Sequence, residues 1–299
     1  MRLFARLDAQ EFHKRFFSWL AVINPRLKGE IISIDGKTVR HSADATEGKS
    51  AIPVVSAWAN TAGVTLGQVK VEDKSNEITA IPELLESLDV QGCIVTIDAM
   101  GTQKAIATKI IEGGGDYVLA LKGNQGTLQE DVELYFTGAS PKELQQPPFT
   151  YHRSFDKDHG RRETRQYWVS DDIGWLSMKK EWDGLSTVCM VRSQRTIGEQ
   201  NTSETRYYIS SLPADAEALA AAIRGHWAVE KTLHWVLDVA FREDESRKRK
   251  DNSAENFATL RHITLNLLKK EKTCKRSIAG KRLLAGWDTS YLKKVLAVG

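Results

Sequence analysis

Cysteine is scarce in this chain of 299 residues, which has only Cys93, Cys189 and Cys274, far apart from one another. Three scattered thiols exclude a disulfide framework and a cysteine-rich zinc site, and they suit a reducing compartment such as the cytoplasm. Long apolar runs are also missing. No stretch approaches the roughly 18 uncharged residues of a membrane-spanning helix, and the opening Met-Arg-Leu-Phe-Ala-Arg-Leu-Asp lacks the apolar core of a secretion signal. No internal repeat or low-complexity tract is present, which removes solenoids and arrays. A strong net charge is lacking too: the formal balance of +3 is too small to identify a polyanionic partner.

The composition that is present, 41% hydrophobic and 27% charged, is enough for a sizeable core, as one large domain or as a core with an insertion. The charge is unevenly spread. Residues 242–299 hold 15 Lys/Arg against 7 Asp/Glu, an excess of +8, which leaves residues 1–241 at −5. The basic end is therefore the candidate electrostatic footprint for a nucleic acid.

Phe12, Phe16, Phe17, Leu20 and Val22 recur at helical spacing and predict a short amphipathic helix over residues 9–23, with little nearby to cover it. Strand-like runs follow at 30–40, 52–60 and 63–72; a tight connection at Thr61-Ala62 joins the last two, and together they predict an antiparallel meander. A helix at 78–88, the run Ile94-Val95-Thr96-Ile97, a helix at 103–112 and a strand at 117–121 predict a parallel half of the same sheet. Gly113-Gly114-Gly115 reads as a helix stop, since a phosphate-cradling loop would follow a strand and open a helix. Residues 127–212 break into short strand-like pieces among polar loops and read as a β-rich insertion. Pro213 then opens a long helix to about 241, and another helix runs through 256–270. The resulting division is a helical segment at 1–28, a first core part at 29–126, the insertion at 127–212, and C-terminal helices with a basic tail at 213–299.

Three carboxylates stand out. Asp35 ends the apolar run Ile31-Ile32-Ser33-Ile34, where an ionised group needs a metal, a base or a set of hydrogen bonds; Asp35-Gly36 also reads as a turn. Asp98 follows the strand run 93–97, where ligands gather at the carboxyl ends of parallel strands, although a helix-capping aspartate has the same look. Glu230 falls within roughly 20° of Leu219, Ile223 and Leu237 at about 100° per residue. An acid on an apolar stripe breaks the pattern and marks a functional site or a buried ion pair. Together the three make a hard-oxygen set suited to Mg²⁺ or Mn²⁺, of the kind that supports in-line phosphoryl displacement.

The sequences around these acids are Ser33-Ile34-Asp35-Gly36-Lys37-Thr38, Thr96-Ile97-Asp98-Ala99-Met100 and His226-Trp227-Ala228-Val229-Glu230. With Lys74-Ser75-Asn76-Glu77-Ile78-Thr79-Ala80-Ile81-Pro82, Lys122-Gly123-Asn124-Gln125 and Leu233-His234-Trp235-Val236-Leu237-Asp238-Val239, they resemble the transposases of bacterial insertion sequences. The resemblance is to the H-repeat-associated branch and runs from about Gln10 to the C-terminus. It implies a ribonuclease-H-like α/β fold: a mixed sheet flanked by helices, with the β-rich insertion ahead of the helix that carries the catalytic glutamate. It implies a DDE transposase that cuts and transfers DNA strands with Asp35, Asp98 and Glu230 as catalytic metal ligands. The partner expected is double-stranded DNA, both transposon ends and target, bound by a homo-oligomer, in the cytoplasm and without a membrane. The DNA contacts fall to Lys37, Lys122, Asn124, His226, Arg247, Lys248, Arg249 and Lys250.

The match has gaps. Related insertion-sequence enzymes carry Tyr, Arg and Lys around the catalytic glutamate, and here those places hold Ile223, His226 and Leu237; the H-repeat branch shares this lack. His226, Arg247 and Arg249 are the candidates to take over phosphate contacts. Relatives also carry a further N-terminal helical region, so the chain is expected to be a shortened form, impaired in full transposition. His226 and His234, eight residues apart, do not form a compact zinc pair. Trp227 is read as a core residue rather than a base-stacking one. Two other functions stay open: a non-catalytic DNA-binding remnant and a ribonuclease-H-like DNA nuclease.

Overall fold

A computed structural model describes residues 2–23, 27–43, 48, 50–71, 76–158 and 160–298, and the chain divides into two units, residues 1–89 with 226–299 and residues 90–225. In the first unit, helices α1 (Arg2–Arg6) and α2 (Ala9–Ile23) precede strands β1 (Ile31–Val39), β2 (Ile52–Ala59) and β3 (Val64–Lys70), with α3 (Glu77–Glu86) after them. The strands form the predicted antiparallel meander, with Asp35 opposite Ser56 and Ala57 opposite Gly67. The buried carboxylate of Glu30 fastens the β2–β3 turn, accepting hydrogen bonds from the N–H groups of Thr61 and Ala62 at 2.7 and 3.0 Å. Glu72, the expected end of the third strand, lies outside the described residues, as do Lys74 and Ser75 of the motif quoted above.

The expectation of a poorly covered N-terminal helix is corrected. Helix α2 packs on β3, burying Phe16 and Leu20, while Val22 faces out. Gly67 makes this approach possible, because the Phe17 ring occupies the space where a Cβ would stand.

The second unit opens with the parallel pair β4 (Ile94–Ile97) and β5 (Asp116–Leu121), joined by α4 (Lys104–Glu112). The glycine run does end that helix: Gly113 caps it and Gly114 takes φ +73°. Helix α5 (Gly126–Gly138), which was not foreseen, leads into the long antiparallel strands β6 (Phe149–Asp158), β7 (Arg161–Ser170), β8 (Thr187–Ile197) and β9 (Gln200–Ser210). Strand β9 pairs with β5, so the β-rich segment continues the sheet of its own unit, which is mixed and ordered β4-β5-β9-β8-β7-β6.

Helix α6 (Ala216–Val229) runs into a π-helical turn, Glu230–His234, in which the Trp235 N–H reaches the Glu230 carbonyl, and then into α7 (Trp235–Phe241). Helices α8 (Ser253–Lys270), α9 (Ile278–Trp287) and α10 (Thr289–Leu296) complete the first unit. Val229, Leu233 and Leu237 cluster with Trp58 of β2 and Leu265 of α8. A buried polar seam joins α8 to β3: Asn266 exchanges two 2.8 Å hydrogen bonds with the Thr65 backbone, and Gln68 donates to Thr259 at 2.9 Å. No helix among the described residues is long and apolar enough to cross a membrane.

Candidate functional site

Asp35 sits in the middle of β1, opposite Ser56, so the Asp35-Gly36 pair is strand and not a turn. Gly36 lets the Glu77 carboxylate come in against the strand, where it fills the space a side chain would take. The base that burial of Asp35 called for is His234, whose Nε2 lies 3.0 Å from Asp35 Oδ2; the two side chains are 13% and 22% exposed. Burial alone would push the Asp35 carboxyl up. The hydrogen bond from His234, the charges of His234 and His226 when protonated, and the Gly36 N–H together hold it below the ordinary carboxylate value. The eight-residue spacing of His226 and His234 gives no hint of this pairing. The place of His234 one helical turn after Glu230 was the signal available.

Glu230 is exposed, whereas its expected stripe companions Leu219, Ile223 and Leu237 are buried. The difference arises ahead of the π-turn, within α6. At about 100° per residue Val229 lies about 120° round the helix from Ile223, and both are buried, so the buried face changes just before Glu230. The extra residue of the π-turn then carries Leu233 and Leu237 onto the Trp58 cluster and leaves Glu230 outside. Such turns recur at functional sites. Trp227, expected in the core, is 39% exposed, lying about 160° round the helix from the buried Val229.

In the second unit, Asp98 follows β4 at the carboxyl end of the parallel pair. Its Oδ1 accepts hydrogen bonds from the N–H groups of Met100 and Gly101 at 3.1 and 3.2 Å, so it shapes a turn; the residue that caps α4 is Gln103. Both bonds fall on Oδ1. The turn is braced from the Lys122–Gln125 loop. Asn124 Nδ2 donates to the Ala99 carbonyl and Gln125 Nε2 to that of Thr102 at 3.0 Å. Thr102 Oγ1 in turn lies 3.1 Å from the Asp98 carbonyl and 2.6 Å from that of Ala120. Asn124 thus spends its amide on holding the Asp98 turn, while Lys122 stays exposed.

Among the expected DNA contacts, Lys37 is 13% exposed, and its ammonium is paired with Asp238, with Glu243 at 3.3 Å and with Asp244 at 3.8 Å. Three carboxylates around one ammonium leave it little charge to offer a phosphate. The acids that hold it, Asp238 within α7 and Glu243 and Asp244 just after it, were not singled out from the sequence. His226 is half-buried, Arg247 and Lys250 are exposed, and Arg249 donates from Nε to the His41 carbonyl at 2.9 Å. Lys248 lies over the Phe257 ring at 4.7 Å.

A divalent ion prefers carboxylate oxygens. Taken singly, each carboxylate offers oxygens of that kind: Asp35 is held ionised, Asp98 is oriented by its turn, and Glu230 is open to solvent. Among the described residues no three His, Cys, Asp or Glu side chains already form a metal cage.

Residues 26–267 match the family model described as Transposase DDE domain. The chain is 42% identical over 301 residues to "H repeat-associated putative transposase YhhI" of Escherichia coli (strain K12), an alignment that spans 99% of this chain and 79% of that protein. It is 44% identical over 300 residues to "Putative transposase YncI" of Escherichia coli O157:H7, spanning 99% and 76%. A cryo-EM structure of the piggyBac transposase synaptic complex with hairpin DNA superposes with a TM-score of 0.50 at 12% identity. That superposition covers 90% of this chain and 54% of the other, so the chain spans about half its length. The likeness shows the fold, the ribonuclease-H-like α/β class.

Proposed function

The chain belongs to the DDE transposase family, and from that premise we propose that Asp35, Asp98 and Glu230 hold divalent ions, Mg²⁺ or Mn²⁺, for DNA strand cleavage and strand transfer. The observation that carries this reading is Asp35: a partly buried carboxylate on strand β1, kept ionised by the imidazole of His234. When bound, the ions would activate the attacking oxygen and stabilise the leaving one.

The chain's own residues have separable tasks. His234 orients Asp35 and fixes which oxygen faces outward. The Asn124–Ala99 and Gln125–Thr102 bonds keep the Asp98 turn from sagging when its carboxylate is loaded. Glu230 supplies an exposed carboxylate at a break in its helix, and Lys122 an exposed cation near the Asp98 turn. The substrate is duplex DNA, as transposon ends and target, handled in the cytoplasm by an oligomer that holds both.

Strand transfer separates a transposase from a nuclease that only hydrolyses. The test is incubation of the chain with Mn²⁺, a plasmid and a pre-cleaved duplex bearing the inverted repeat that flanks its gene. The reading expects covalent joining of the duplex 3′ end to the plasmid. Plasmid nicking with no joined product would assign hydrolysis instead, and neither product would leave a DNA-binding remnant.

A further inference from the structure

Arg2 and Arg6 are four residues apart on α1 and so share one face of that helix. Arg247, Lys248, Arg249 and Lys250 form a second basic run, nearly 250 residues later in the chain. The fold brings the two together. They line opposite walls of an open cleft of about 640 Å³ in the first unit, in which Asp251 is the lone carboxylate.

Both walls are fastened from behind. The fully buried Asn256 donates from Nδ2 to the carbonyls of Phe4 and Leu7 at 2.9 Å each, and Asn252 donates to Leu7 at 3.0 Å. The Phe4 ring lies 4.8 Å from that of Phe257. On the other wall, the Arg249 bond to His41 and the placement of Lys248 over Phe257 fix the basic loop. Asp251 turns the chain into α8 with φ +47°, a conformation that aspartate tolerates better than most residues.

Held in this way, the cations repel one another, and among the described residues no carboxylate forms an ion pair with Arg2, Arg6, Arg247 or Lys250. Six cations against one carboxylate exceed what a single small anion would neutralise. A regular array of phosphates meets the need, since duplex DNA carries a charge about every 1.7 Å of its axis. Four of the six are arginines, whose planar forks match phosphate oxygens. The lining holds no aromatic ring and no side-chain amide that would stack on or read a base. Such a surface positions a backbone without reading its sequence.

We propose that this cleft clamps the phosphodiester backbone of duplex DNA, and that α1, which lies ahead of the span matching the family model, is half of the clamp. The proposal rests on the reading of the chain as a DNA-processing enzyme. It adds which residues hold the backbone of the duplex, and it makes the grip sequence-independent.

The test is fluorescence anisotropy of the full chain with labelled duplexes of unrelated sequence over a potassium chloride series. Two double variants, Arg2→Gln with Arg6→Gln and Arg247→Gln with Lys250→Gln, probe the two walls, and circular dichroism checks their folding. Each should bind every duplex more weakly and lower the log–log salt slope by about 2, at about 0.9 per lost phosphate contact. Wild-type slopes in both variants would overturn the clamp while leaving the DNA-processing reading intact. A slope change confined to the loop variant would overturn the role of α1. Failure of the wild-type chain to bind any duplex would overturn the clamp and the reading together. Losses seen with a polyglutamate peptide but not with duplexes would assign the cleft to an acidic protein segment and overturn the proposal.

Discussion

His234 Nε2 lies 3.0 Å from Asp35 Oδ2, joining the π-turn to the first strand of the meander through two side chains that are mostly buried. Replacing His234 with Ala removes the bond that keeps the Asp35 carboxyl low and leaves burial to push it up. The prediction is a fall in metal-dependent nicking of about 10- to 100-fold, the usual effect of losing a partner that orients a metal ligand. Because Asp35 would then bind a proton at higher pH, the acid limb of the pH–rate profile should move to higher pH. His234→Gln, which retains a donor, should recover part of both. A pH profile unchanged in His234→Ala would remove the positioning role.

Lys37 is a structural cation in this account. Lys37→Met takes the ammonium from Glu243, which is 2% exposed and retains Arg261 at 3.2 Å, and from Asp238; Asp244 retains Arg40 at 3.5 Å. Breaking a buried pair on one side leads us to expect a loss of about 3 kcal/mol by urea denaturation. The salt slope of DNA binding should stay at the wild-type value; a lower slope would return Lys37 to the DNA-contact set.

Much of this was legible in the sequence, because period-two and period-3.6 patterns report burial directly. The meander, the β4–α4–β5 unit and helix α8 follow from those patterns, and the burial of Asp35 announced that a partner had to exist. What could not be read depends on distant chain. The buried face of the helix shifts by about 120° between Ile223 and Val229, ahead of the π-turn, so the stripe that runs through Leu219 and Ile223 is no longer covered where it reaches Glu230. Lys37 was expected at DNA because the acids around it come from some 200 residues away. Arg2 and Arg6 carried no signal until Asn256 docked their helix beside the basic loop.

Two buried histidines should make the fold acid-sensitive. Burial pushes His13 down to about 4 and His262 down to about 3 from an ordinary value of 6.5, even though Glu255 lies 3.6 Å from His13. Below about pH 6.5 the unfolded chain takes up protons that the folded chain refuses. The stability from each histidine is therefore complete above pH 6.5 and is lost progressively as pH falls toward the folded values. Urea midpoints measured from pH 7 to pH 4.5 should decline, and His13→Gln should flatten the decline by up to about 1.4 kcal/mol per pH unit. Parallel curves for the two proteins would contradict this.

Gly67→Ala places a methyl group where the Phe17 ring stands. Overpacking of this kind costs about 1–3 kcal/mol. Thermal denaturation should show the loss in Gly67→Ala and its partial relief when Phe17→Leu is added; additive losses would mean that the two residues are not in contact.

The central claim is that three carboxylates act together on DNA. The measurement that tests it most directly is nicking of supercoiled plasmid with Mn²⁺ by the wild-type chain and by Asp35→Asn, Asp98→Asn and Glu230→Gln, each checked for fold by circular dichroism and for duplex binding by anisotropy. The account predicts that every variant folds and binds DNA like the wild type and that none nicks above background. Wild-type nicking by any one of the three would contradict it, and the exposed Glu230 is the residue on which it is most open to that result.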